Sequence, residues 1–121
     1  MTPLVLLAVG AAGALGAAAR FAVDGAVASR AGRDFPLGTF AVNLSGAIAL
    51  GAIVGATVSG DGLRIAGTGL IGGYTTFSTW ALESQRLGED GQLGLGALNF
   101  VLSLLLGLAA LWLGRHLGGA L

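Results

Sequence analysis

Four long runs of apolar residues, separated by short clusters of charge, organise this chain. The charge-free stretches are Met1 to Ala19, Phe35 to Gly60, Ile65 to Leu82 and Gly91 to Gly114. A helix needs about 17 to 25 apolar residues to cross the hydrocarbon core of a bilayer. Each run approaches or exceeds that length. The pattern predicts an all-α membrane protein of one domain, residues 1–121, with transmembrane helices over 3–27, 36–59, 65–86 and 92–114. The connections, around Ser29 to Pro36, Asp61 to Arg64 and Leu87 to Gln92, hold most of the charge. The first helix is expected to run past Arg20, which sets Arg20 and Asp24 one turn apart near its far end.

The third run differs from the others. Its second half, Gly72-Gly73-Tyr74-Thr75-Thr76-Phe77-Ser78-Thr79-Trp80, holds adjacent glycines, four serine and threonine hydroxyls and two aromatic rings bracketing Ser78 and Thr79. Lipid offers no partner to a backbone group that leaves helical pairing. A polar, helix-breaking segment at membrane depth is therefore expected only where protein or a water-filled path surrounds it. The run predicts a helix broken at mid-membrane beside an ion or solute pathway.

Composition agrees and excludes other classes. The chain is 55% hydrophobic and 10% charged, and its mean hydropathy of +0.86 lies outside the soluble globular range. There is no cysteine, so neither a disulfide framework nor a thiolate metal site is available. Lysine is absent too, which removes P-loop and Schiff-base chemistry. The net charge is zero and the arginines are dispersed, so nothing points to nucleic acid. At 121 residues the chain is short for a transporter of two fused repeats. A cleaved signal peptide fits poorly, because no basic region precedes the first run and three further runs follow.

Arginine placement gives almost no orientation. With four spans, Arg64 and Arg115 fall on the side of the N-terminus, and Arg30, Arg33 and Arg86 on the other. Topology normally follows the side richer in Lys and Arg. The near balance fits insertion in both orientations. It equally fits one orientation decided by a single arginine or by a companion protein.

Glycine, 23 of 121 residues, is spaced for close helix contact. Gly51-x-x-x-Gly55 in the second span and Gly10, Gly13 and Gly16 in the first let backbones approach, without naming a partner. Gly67-Thr68-Gly69-Leu70-Ile71-Gly72 matches the dinucleotide pattern G-x-G-x-x-G, but it follows no strand and lies in an apolar span, so it is rejected. Polar residues elsewhere come in pairs four apart, Thr39 with Asn43 and Asn99 with Ser103. Each pair shares a helix face, either to bond a neighbouring helix or to line a polar track. Glu83 continues the stripe of Thr76 and Trp80, either as a solvated helix end or as a pathway residue.

These residues resemble a known family. Gly72 to Trp80 is similar to the G-G-x-T-T-F-S-T-F motif of Fluc/CrcB-type fluoride channels. Gly38-Thr39-Phe40-Ala41-Val42-Asn43-Leu44-Ser45-Gly46 resembles that family's G-T-x-x-V-N-x-x-G segment, and Gly13 to Phe21 resembles its first-span pattern ending in Arg-aromatic. The likeness covers essentially the whole chain in order and length.

The resemblance implies a channel, not an enzyme, that exports fluoride passively across the cell membrane and lowers its toxicity. It implies four transmembrane helices per subunit in an antiparallel, dual-topology dimer, formed with a second copy or with a related subunit. It further implies a structural sodium ion, not transported, held by the backbone carbonyls of Gly72 and Thr75. The implied fluoride pathway comprises Asn43, Phe77, Thr79, Trp80, Glu83, Ser103 and Arg20. Phe77 matches the first of two phenylalanines that face the anion edge-on. Trp80 stands where the family has the second, a departure that adds bulk and an N–H donor and leaves room for a different partner subunit. Arg20 either serves the vestibule or pairs with Asp24. The other reading of such a chain is a small multidrug-type, dual-topology secondary transporter, which is expected to bury an acid in its first span; none precedes Asp24. A non-transporting assembly factor is a third.

Overall fold

The computed structural model describes residues 1–32 and 34–121; Arg33, counted above among the arginines, lies outside the described residues. The described residues form helices and no strand. Helix α1 spans Pro3–Ala31 and α2 spans Leu37–Gly55. The third element is a chain of short pieces: α3 (Gly60–Leu63), a π-helical segment (Arg64–Ile71), α4 (Gly72–Tyr74) and, after a break, α5 (Ser78–Glu89). Helix α6 covers Leu93–Gly119.

Local chemistry sets the ends. Thr2 caps α1, its Oγ1 accepting from the Val5 N–H at 3.2 Å, and Pro3 follows where a missing N–H costs nothing. Helix α1 runs four residues beyond the expected end and stops at Gly32, whose φ of 79° suits glycine. Gly91 closes α5 the same way at φ 81°, with the Gln92 N–H reaching back to the Leu87 carbonyl at 2.8 Å. After α2 that role falls to Thr57 at φ 61°, where a Cβ makes the left-handed conformation costlier by about 1 kcal/mol.

Helices α1, α2 and α6 are each long and apolar enough to cross a membrane. They bury little within the subunit: among the described residues the apolar core is Ala28, Val42 and Ala110 of these helices with Leu87 of α5. Lipid removes the hydrophobic drive between helices, so close packing must supply the adhesion, and glycine supplies it here. A methyl on Gly51 would collide with the Leu111 carbonyl, one on Gly55 with the Arg115 carbonyl, one on Gly114 with the Ile48 carbonyl and one on Gly118 with the Ala52 carbonyl. Gly51-x-x-x-Gly55 thus meets a second G-x-x-x-G, Gly114 to Gly118, and the rising register on both sides makes α2 and α6 parallel. On the other flank Gly13 and Gly16 of α1 lie against Gly69 to Tyr74, with residue numbers again rising together. Gly10 meets nothing within 4 Å.

Two parallel pairs fix the path of the chain. Helix α6 runs with α2 only if the chain returns between them, and the pieced third element makes that return beside α1.

Candidate functional site

The helix break falls at Thr75 to Phe77, beginning at the threonine expected to break the helix together with the glycine pair, and two residues beyond that pair. Gly72 has ordinary helical dihedrals, φ −61° and ψ −39°, and Gly73 is used for packing, since a Cβ there would lie 2.8 Å from the Gly13 Cα. The chain leaves the helix at Thr75, which is extended at φ −81° and ψ 163°.

Two side chains hold the break open. Asn43 of α2 acts as a surrogate peptide group: its Oδ1 accepts from the Thr76 N–H and its Nδ2 donates to the Thr76 carbonyl, both at 2.9 Å. Thr76 Oγ1 accepts from the Thr79 N–H at 3.2 Å and so caps the first turn of α5. In an unbroken helix those two N–H groups would bond the carbonyls of Gly72 and Thr75. Both carbonyls are thereby released, and no backbone N–H among the described residues takes them up. Released carbonyls in an apolar setting suit a hard cation, which takes oxygen ligands.

Around the break the expected pathway residues separate into three places. Asn43, Phe77, Trp80 and Ser103 line one groove of about 410 Å³, together with Gly72 and Thr75. Arg20 and Thr79 line a second cavity of about 330 Å³, with Asp24, Thr39 and Thr76. Glu83 lies in a third space at the helix ends, about 400 Å³, with Asp24, Asp34, Arg86 and Asp90. Thr76 borders the first two and Asp24 the last two, so the three adjoin. Glu83 does not continue the Trp80 stripe; its Oε1 accepts from buried Thr39 Oγ1 at 2.5 Å. Arg20 and Asp24 form no ion pair among the described residues, where Arg64 pairs with Asp61 at 2.8 Å.

Phe77 is 71% exposed and therefore presents its ring to whatever fills the groove. Trp80 is held on several sides. Its ring stacks on Phe100 with centroids 4.6 Å apart, meets Phe77 edge to face at 5.2 Å, and its Nε1–H donates to the Asn99 carbonyl at 3.3 Å. The extra donor that tryptophan brings is thus spent on α6. Asn43 spends one of its two amide hydrogens on Thr76 and keeps the other. Ser103 Oγ reaches Asn99 Oδ1 only at 3.4 Å, a weak tie.

The capping role of Thr76, and Ser84, whose Oγ accepts from Asn99 Nδ2 at 2.7 Å, escaped sequence reasoning. Thr76 stands three residues before Thr79 in the spacing of a helix cap, a signal masked by the apolar span around it. Ser84 depends on α6 lying alongside, which no local pattern contains.

Comparison with known proteins sets this geometry in a family. Residues 7–115 match the family model described as CrcB-like protein, Camphor Resistance (CrcB). The chain is 52% identical over 116 residues to the fluoride-specific ion channel FluC 2 of Mycolicibacterium paratuberculosis, covering 96% of this chain and 95% of the relative. It is 48% identical over 115 residues to FluC 2 of Mycobacterium tuberculosis, covering 95% and 91%. It is 50% identical over 124 residues to FluC 1 of Leifsonia xyli subsp. xyli, covering 98% and 90%.

Proposed function

This chain belongs to the CrcB-like family, and from that membership together with the geometry of the broken helix we propose how it works as a fluoride-specific ion channel. It is a multi-pass membrane protein and not an enzyme. Fluoride moves down its gradient, which lowers the internal concentration without coupling to protons. The observation that carries the mechanism is the groove that gathers Phe77, Trp80, Asn43 and Ser103 beside the break. Fluoride holds its hydration shell tightly, so a path must replace water with donors that do not trap the ion. The free amide hydrogen of Asn43, the weakly tied hydroxyl of Ser103 and the positive edge of the exposed Phe77 ring offer that replacement. Arg20, beside Thr79 in the adjoining cavity, draws the anion in electrostatically.

The subunit works as half of an antiparallel dimer with four crossings per chain. The third crossing is made by the pieces from Gly60 to Glu89, none of them long enough alone. Support comes from the parallel pairs, which need a return path, and from the groove, which is open on the isolated subunit. The carbonyls of Gly72 and Thr75 would hold a structural sodium ion, supported by their release from helical pairing. When bound, that ion supplies positive charge that joins broken helices and takes no part in transport.

Liposomes loaded with fluoride test the reading. The purified chain should release fluoride without a proton gradient and leave chloride inside. Release that requires a proton gradient, or none at all, refutes it for this chain acting alone.

A further inference from the structure

We infer that Asn99 is a positioning residue for the aromatic pair, fixing Trp80 as an immobile wall of the groove so that Phe77 alone presents a ring edge to the anion. The inference rests on the channel reading above and concerns a residue outside its donor set. Asn99 is 2% exposed, the seventh residue of a helix that otherwise buries almost no side chain. Its Nδ2 donates to Ser84 Oγ at 2.7 Å, and Ser84 Oγ donates in turn to the Trp80 carbonyl at 2.9 Å. The Trp80 indole N–H then returns to the main-chain carbonyl of Asn99 at 3.3 Å, while Asn99 Oδ1 accepts from Ser103 Oγ at 3.4 Å.

The three bonds among Asn99, Ser84 and Trp80 close a ring that links Asn99 to Trp80 twice, once through the backbone of α5 and once through the indole. A single contact would leave the indole free to turn about its side-chain torsions. The double link, with Phe100 stacked at 4.6 Å on the ring, removes that freedom. Phe77 has no such restraint: its ring touches Trp80 edge to face and is otherwise exposed. A phenylalanine at position 80 could not close the ring, so the arrangement belongs to the tryptophan. The side chain of Asn99 supplies the link through Ser84 and its main chain the link to the indole, so the side chain acts on the indole by holding the α5 backbone in register with that carbonyl.

The test uses Trp112→Phe, which leaves Trp80 as the single tryptophan of the full chain, excited apart from Tyr74 at the red edge of the absorption band. In that background Asn99→Leu keeps the branched shape, removes the bonds to Ser84 and Ser103, and leaves the main-chain acceptor of the indole in place. We expect the polarisation of Trp80 emission to fall. The fluoride-to-chloride flux ratio should drop roughly five-fold, the factor for one net hydrogen bond. Ser84→Ala spares Asn99 and should move both readouts the same way by less; it carries the test if Asn99→Leu does not fold. Unchanged polarisation and flux ratio overturn the inference. Should the unaltered chain pass no fluoride, the channel reading fails by itself, and polarisation alone then decides whether Asn99 holds the indole.

Discussion

A phenyl ring offers an anion its edge, where the hydrogens carry partial positive charge, and Phe77 holds such a ring exposed beside the break. Phe77→Ile keeps the position apolar and removes that edge. Fluoride flux should fall at least about ten-fold, which takes only about 1.4 kcal/mol of lost stabilisation. The amount of dimer, read by cross-linking, should stay the same. Full flux in this variant would rule out an edge-on contact. Asn43 acts one step further back, on the backbone. Asn43→Leu removes both bonds to Thr76 and leaves its N–H to find a partner at a cost of about 1 to 3 kcal/mol. The nearest remedy is to heal the helix by bonding the Gly72 carbonyl. Thermal stability of the unaltered protein should therefore depend on sodium, and Asn43→Leu should lose that dependence. Equal sodium dependence in both would separate Asn43 from the carbonyl site.

At the scale of elements, α2 and α6 adhere through facing glycines and carbonyl oxygens rather than through interlocked large side chains. Such contacts tolerate no added methyl. Gly114→Val should lower the unfolding temperature in detergent by several degrees, because its side chain would meet the Ile48 backbone. Gly10→Ala serves as the control: nothing lies within 4 Å, and alanine suits a helix better than glycine by about 1 kcal/mol. A destabilised Gly10→Ala would show that this face meets another subunit. The third element obeys a different logic. Its glycines at 69 and 73 admit α1, while its break is made by threonines and held by α2.

For the whole molecule, the parallel pairs place the N-terminus, the Asp61–Arg64 connection and the C-terminus at one end. Among the described residues the other end carries Arg30 and Arg86 against Arg64 and Arg115 at the first, so arginine does little to tell the two ends apart. A cysteine introduced near Leu121 should be labelled from both sides of the membrane, as dual insertion demands. Labelling from one side alone would leave only a pairing with a different, inverted subunit. Gly72 offers a second view of the assembly. Among the described residues a methyl there meets only the Gly67 carbonyl at 3.7 Å, an ordinary contact, so loss of cross-linked dimer in Gly72→Ala would support a contact between subunits, and an unchanged dimer would count against one.

The sequence alone determined the apolar spans, the anomaly of the third one and the family, because each is written in local composition or in a contiguous motif. Gly72 to Trp80 can be read without knowing what surrounds it. Where the break falls, and what each polar residue does there, belong to the tertiary structure. Asn43 and Thr76 are thirty-three positions apart, yet they decide together which carbonyls leave the helix. The doubled glycine, read as part of the helix-breaking segment, stays helical, and Gly73 serves as a packing surface because α1 lies against it. Trp80 read as an added donor became an anchored wall, because α6 presents a carbonyl to its N–H. A hydrogen bond between distant segments depends on which helices lie side by side, and that depends on parallel glycine seams rather than on any single stretch of chain.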